Sequence, residues 1–256
     1  MSASLRALLR APSPLMAQDC ALTHMDRRPI DMARAVAQHG AYADMLRGLG
    51  LKVTVLPPLA GHPDCAFVED CLFVLPEVLV VCRPGTASRR GEVASVLAAM
   101  PRGRPRIAIE APATLEGGDL LRIGRTIYAG LSSRSNAAGI AALAQAVTPH
   151  GYSVVSVPLS GALHLKTACI ALSPDHVLFN PEWVDGALFT GMAQVAVDPG
   201  EPFAANVLTV GDVRVMVAAY PATLARVAAL GFDTRAINVS EFAKAEAGLT
   251  CLSVLY

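Results

Sequence analysis

The sequence predicts an α/β fold in which five strand–strand–helix–strand units form a closed ring around a pseudo-fivefold axis. Three observations carry that prediction. The 256 residues are 53% hydrophobic and 16% charged, enough length and apolar content for a sizeable core and too apolar for disorder. One order of elements recurs along the chain: two short β-rich runs, a helical stretch and a further β-rich run. The recurrences start near residues 72, 119, 168, 206 and 251, about 38–49 residues apart, a period at which each unit buries its apolar face against its neighbours. Identity between units is negligible. Order and spacing alone therefore leave an ordinary open α/β sheet as the competing architecture.

The elements follow in chain order. Residues 5–10 read as a strand, 29–49 as a helix and 52–56 as a strand, an incomplete unit that lacks its first strand. The next unit has strands at 72–75 and 78–82, a helix at 89–100 with Glu92, Val93, Val96 and Leu97 in amphipathic spacing, and a strand at 106–109. Strands 119–123 and 126–129, helix 135–147 and strand 153–157 repeat the order. Strands 168–172 and 176–179 follow, then a weak helical piece near 181–189 and strand 194–197. Strands 206–210 and 213–217, helix 221–229 and strand 235–239 make a fourth complete unit. The final strand, 251–255, supplies what the N-terminal unit lacks, so one unit is divided between the two ends and the whole chain, 1–256, reads as a single domain.

Charge excludes several functions. Lys+Arg and Asp+Glu both total 21, so there is no excess positive charge to hold a nucleic-acid backbone or a membrane surface. Lys52, Lys166 and Lys244 are the three lysines; the other cations are arginine. The longest apolar run, 71–82, is interrupted by Pro76 and Glu77 and falls short of the ~20 residues that span a bilayer. The opening MSASLRALLRAPSP has no apolar core followed by a small-residue cleavage site, so a soluble, cytoplasmic protein is expected. Cys20, Cys65, Cys71, Cys82, Cys169 and Cys251 are widely spread in a chain too large to need disulfide staples, and are expected to be reduced. Cys20 and His24 stand four apart, and His62, Cys65 and Cys71 lie close together, but no pair of CxxC motifs exists and no structural zinc is expected. The turns at 83–85 and 117–119 match neither a phosphate-binding loop nor a dinucleotide fingerprint.

The reactive side chains share one position in the repeat. Asp64, Glu69 and Asp70, then Glu116, then His164, then Cys251 all sit just before the first strand of a unit. In a ring those loops converge on the axis. Cys251 and His164 then form a thiol–imidazole pair suited to covalent catalysis. Taken singly, Cys251 reads equally as a small buried hydrophobe. The carboxylates border apolar strands and need cationic partners, either internal arginines such as Arg83 or Arg134 or a bound planar cation. A guanidinium fits, because its fork of N–H groups matches carboxylate oxygens in two directions. Arg89 and Arg134 are either solvated or positioned for a carboxylate at the far end of a ligand. Acids at one end and arginines at the other describe an amino acid with a guanidine side chain.

Read together, these segments resemble the dimethylarginine dimethylaminohydrolase family, of the guanidino-group modifying superfamily with the five-bladed α/β-propeller (pentein) fold. The resemblance runs through ALT at 21–23, LPP at 56–58, PDxxFVED at 63–70, RPGxxSRRGE at 83–92, TLEGGD at 114–119, SSRSN at 132–136, HLKT at 164–167, AAN at 204–206 and LTCLS at 249–253. It implies Cys251 as nucleophile, His164 as general acid/base and Glu116 as the support of both His164 and the substrate guanidine. It implies Asp64, Glu69 and Asp70 around the guanidinium, Arg89 and Arg134 at the substrate carboxylate, Leu22 on a closing loop, and the Ala245 backbone at the α-amino end. The implied reaction converts Nω-methylated arginine to L-citrulline and methylamine or dimethylamine through a covalent adduct on Cys251, without metal or organic cofactor. Relatives occur as monomers and homodimers. The alternatives are a deiminase acting on arginine, whose chains are longer and carry a helical insertion, a guanidine-binding homologue without turnover, and a purely structural subunit. The chain departs from its relatives in having Glu246 where aspartate and Ala247 where glycine are common, and Cys20–Ala21 in the closing loop.

Overall fold

The computed structural model describes residues 5–256 and forms five three-stranded sheets arranged as the blades of a propeller. Along the chain come β1 (Arg6–Arg10), α1 (Met16–Asp19), α2 (Met32–Gly48) and β2 (Lys52–Leu56). Then follow β3 (Leu72–Val74), β4 (Leu79–Val81), α3 (Glu92–Ala99) and β5 (Arg106–Ala108), and after them β6 (Leu120–Ile123), β7 (Thr126–Leu131), α4 (Ala137–Val147) and β8 (Ser153–Pro158). The second half has α5 (Leu165–Ala168), β9 (Cys169–Ser173), β10 (His176–Phe179), β11 (Ala193–Ala196), β12 (Leu208–Val210), β13 (Val213–Val217), α6 (Pro221–Ala229), β14 (Asp233–Ile237), α7 (Ser240–Ala243) and β15 (Val254–Leu255).

Every sheet has one pattern. The first strand pairs antiparallel with the second through a short turn, and the second pairs parallel with the third across a longer connection, as a parallel pair requires. In the divided blade β15 takes the place of the first strand, pairing antiparallel with β1, which pairs parallel with β2. The ring closes there. The inner strands β3, β6, β9, β12 and β15 all line one axial cavity with about 570 Å³ of room for water centres, a geometry that an open sheet does not produce.

The helices fill the spaces between blades. In α2, Ala35, His39, Tyr42 and Leu46 recur at helical spacing and are buried against β1 and the β12–β14 sheet, while the Asp31 carboxylate caps the helix by accepting from the Arg34 N–H. Leu8 and Val254 pack with Leu72, Leu79 and Val96, joining the last strand to the neighbouring blade.

Two predicted elements differ. The helical piece near 181–189 is a single 3₁₀ turn, Gly186–Phe189, with Asp185 accepting from the Ala187 N–H. Pro181 and Gly186 supply little helical propensity, and burial of Phe189 is met by one turn. The predicted last strand begins three residues late, because Thr250–Leu252 is a 3₁₀ turn that carries Cys251. Similar short helical turns, Val68–Cys71, Gly117–Asp119 and α5, precede β3, β6 and β9. Each is placed at the head of an inner strand, next to the axis. Among the described residues no helix is long and apolar enough to cross a membrane.

Candidate active site

Those four turns bring the candidate residues together. Asp64, Asp70, Arg89, Arg134, His164, Ala245 and Cys251 line one small chamber at the axis. Glu116 stands behind His164, with its Oε2 2.7 Å from the imidazole Nε2. Glu69 is turned toward the axial cavity, where it accepts from the Lys166 ammonium at 2.6 Å and from the Thr250 hydroxyl at 2.7 Å. Leu22 is half-buried and packs against the core around α2 rather than lining the chamber.

The glycine pair in the turn before β6 is a packing requirement. A Cβ on Gly118 would lie 2.8 Å from the His164 ring and 2.9 Å from Asp70 Oδ1, and one on Gly117 would lie 2.0 Å from the Glu69 carbonyl oxygen. Their absence lets the Gly118 N–H donate to Asp70 at 3.1 Å and lets the imidazole pack close to the turn. Sequence reasoning gave no role to Asp119. It accepts from the Ser132 and Ser135 hydroxyls and from the Leu165 N–H, so it fixes the backbone that carries His164. Ser135 in turn accepts from the Glu116 N–H, tying His164 and its carboxylate partner to one frame. Asn206 does the same for the turn that carries Cys251, accepting from the Thr250 N–H and donating to its hydroxyl. The only sequence signal for these residues was their place inside the segments quoted above.

Electrostatics divide the chamber. Burial alone would raise the Asp70 carboxyl, but the His164 and Arg89 charges and the hydrogen bonds from Arg89 and Gly118 bring it down to about 2. Burial pushes the Asp119 carboxyl up to about 6 despite its donors. Burial also disfavours the His164 imidazolium, yet the Asp70 and Asp119 charges and the hydrogen bonds with Cys251 and Glu116 lift it well above the usual histidine range. The Cys251 thiol is pushed up, by burial first and then by the Glu69 and Asp70 charges, against the hydrogen bond and charge of His164. The surroundings thus favour the neutral thiol at Cys251 and the charged imidazole at His164.

Arg89 is buried and bonded within the protein: to Asp70 at 2.6 Å, to the Glu92 carboxylate and to the Phe67 carbonyl. Arg134 donates to the Thr86 and Thr23 hydroxyls and keeps its Nη1 3.8 Å from Glu116. Ligand atoms of Asp70, Glu116 and His164 lie within 4.8 Å of one another, near enough to share a cation. The Arg89 guanidinium, already on Asp70 and 4.0 Å from Glu116, takes up that negative charge. The chamber itself has room of about 20 Å³ for water centres. That is little more than the roughly 10–15 Å³ one water needs, so it is narrow.

The family profile described as eukaryotic N,N dimethylarginine dimethylhydrolase matches residues 17–186. The N(G),N(G)-dimethylarginine dimethylaminohydrolase of Streptomyces coelicolor is 39% identical over 254 residues, spanning 98% of this chain and 96% of that protein. Its counterpart from Pseudomonas aeruginosa is 32% identical over 251 residues, spanning 97% of this chain and 98% of that one. A solved structure of the Pseudomonas aeruginosa protein, a cysteine-to-serine variant complexed with citrulline, matches with a TM-score of 0.93 over 99% of this chain and 100% of that one. The chain belongs to the dimethylarginine dimethylaminohydrolase family.

Proposed function

We propose that this chain hydrolyses dimethylarginine and monomethylarginine to L-citrulline and dimethylamine or methylamine. The observation that carries the reading is that Cys251 and His164 line one chamber with Asp64 and Asp70, while Glu116 holds the His164 Nε2 at 2.7 Å, a set of acids suited to a guanidinium beside a thiol–imidazole pair. Arg134, which lines the chamber and donates to two neutral threonine hydroxyls, receives the substrate α-carboxylate, and the Ala245 backbone receives the α-amino group. Arg89 belongs to the same end by the family resemblance. With its donors facing Asp70, Glu92 and Phe67, it acts here chiefly by holding Asp70 ionised.

The bound guanidinium adds a positive charge beside the sulfur, so the thiol releases its proton to solvent on substrate binding. The thiolate then attacks the guanidinium carbon from near-attack distance, forming a C–S bond. His164 gives its proton to the methylated nitrogen, the C–N bond breaks and the amine leaves. The neutral imidazole, oriented by Glu116, next takes a proton from water as the oxygen adds to the thiouronium carbon. Collapse breaks the C–S bond, passes the hydroxyl proton to the departing sulfur to restore the Cys251 thiol, and leaves the ureido group of citrulline. His164 alone serves both steps, a role general acid–base catalysis typically rewards with about 10²–10⁴-fold. Six free, buried thiols support a reducing, cytoplasmic setting.

The test is dimethylamine release from asymmetric dimethylarginine by the protein and by its Cys251→Ser variant. The expected result is turnover in the first and none in the second, with the fold unchanged. Citrulline formed at equal rates by both proteins removes Cys251 from the mechanism.

A further inference from the structure

The chamber is covered by the segment between α1 and α2, and one side chain holds most of that cover in place. The Glu246 carboxylate accepts from three consecutive backbone amides: Thr23 at 2.9 Å, His24 at 2.6 Å and Met25 at 2.5 Å. Glu246 is also the one non-glycine residue with positive φ, +57°, among the described residues. A left-handed backbone is disfavoured for a side chain of this kind and persists where surrounding contacts compensate it. Here the conformation aims the carboxylate across the chamber mouth, and the three amides are what it meets. Two weaker ties assist, from the Asp64 carboxylate to the Ala21 N–H and from the Arg134 guanidinium to the Thr23 hydroxyl.

The position matters because Glu246 borders two cavities. One is the reaction chamber. The other is a largely apolar cavity with about 100 Å³ of room for water centres, roofed by His24 and Met25, which shares Leu163, Glu246 and Ala247 with the first. The two amides that Glu246 holds most tightly thus belong to the roof of the second cavity, and the segment leading to them covers the first. With room for little more than one water, the reaction chamber must widen to take in an amino acid, and this segment borders it at Ala21.

We propose that Glu246 is the latch of this cover: by gathering the amides of Thr23, His24 and Met25 it holds segment 20–28 closed, and so sets how often a ligand enters or leaves. It is a positioning residue. It takes no part in bond making. The segment's movement over the site rests on the reaction proposed above only for the identity of the ligand.

The test uses two readouts without substrate: amide hydrogen exchange across the chain, and the rate at which the small neutral reagent iodoacetamide alkylates Cys251. Variants are Glu246→Ala, Glu246→Gln and Glu246→Gly, the last relieving the left-handed backbone while removing the carboxylate. In the Ala and Gly variants the amides of Thr23–Met25 are expected to exchange at least about tenfold faster, as befits loss of charge-assisted hydrogen bonds, with β4 and β7 unchanged. Cys251 alkylation is expected to rise in parallel. The Gln variant, which keeps an acceptor oxygen, falls between. With dimethylarginine, the Ala variant is expected to show a raised KM and a smaller change in kcat. Unchanged exchange at Thr23–Met25 in the Ala variant overturns the proposal, and so does acceleration spread over the whole chain in both the Ala and Gly variants. A protein inactive toward dimethylarginine overturns the proposed reaction while leaving the latch result readable.

Discussion

At the scale of single residues, the site is governed by what has no room to move. Gly118 is the sharpest case. Changing it to alanine places a methyl group 2.8 Å from the His164 ring and 2.9 Å from Asp70 Oδ1, with little slack behind either. Gly118→Ala is expected to displace the imidazole and lower kcat/KM by roughly 10²-fold, the usual consequence of an ångström-scale misplacement. Its thermal unfolding is expected to stay cooperative, and steady-state kinetics on dimethylarginine check the loss. Wild-type kinetics would show that the turn yields. The convergence of Cys251, His164 and Glu116 was legible in the sequence because each lies shortly before the first strand of a unit, while their roles were implied only by the family resemblance. The roles of Asp119, Glu92, Lys166 and Asn206 were not, since they exist only as contacts between segments distant along the chain, such as Asp119 with Leu165 and Asn206 with Thr250. Neither was the inward pairing of Arg89, because a sequence position near a helix start does not say which way a long side chain turns.

At the scale of elements, α2 makes the split blade sensitive to pH. His39, buried on its inner face near Phe242, has an Nε2 without a hydrogen-bond partner, and burial pulls its pKa down to about 4 against a hydrogen bond with the Arg10 backbone. The unfolded chain binds a proton there near pH 6.5 and the folded chain only near pH 4. His39 therefore favours the fold fully above pH 6.5, and that contribution is lost progressively as pH falls toward 4, by about 3 kcal/mol in all. Urea unfolding at pH 7 and pH 5 is expected to show a smaller stability loss in His39→Phe than in the wild type. Equal losses in both proteins would place the histidine in contact with water. The helices with clear periodicity, α2, α4 and α6, were readable within a few residues of their ends. The 3₁₀ turns heading the inner strands were not, because they arise where the residues ahead of a strand turn toward the axis to meet side chains of other blades, as the Gly118 N–H meets Asp70 and the Thr250 hydroxyl meets Glu69.

At the scale of the whole molecule, the ring depends on a two-residue strand. β15 pairs with β1, and Val254, 5% exposed, packs among Leu8, Leu72 and Leu79 where the last strand meets the neighbouring blade. Val254→Asp puts an unpaired carboxylate into that contact and is expected to cost about 3 kcal/mol or more. Thermal unfolding monitored by circular dichroism reads the loss, and a variant as stable as the wild type would mean that the junction is not a seam of the core. The sequence by itself determined the repeating order of elements, the division of one unit between the chain ends and the shared position of the reactive side chains. Local propensity and apolar period are properties of neighbouring residues, and those survive in a linear text. Only the tertiary structure decided that the ring closes, that Arg89 turns inward to Asp70, that Glu69 faces the axial cavity, and that Glu246 reaches across to the covering segment. Those outcomes depend on charges and hydrogen bonds between residues up to 223 positions apart, partners that come within reach only once the chain is folded, and those at the buried centre strengthen where packing excludes water.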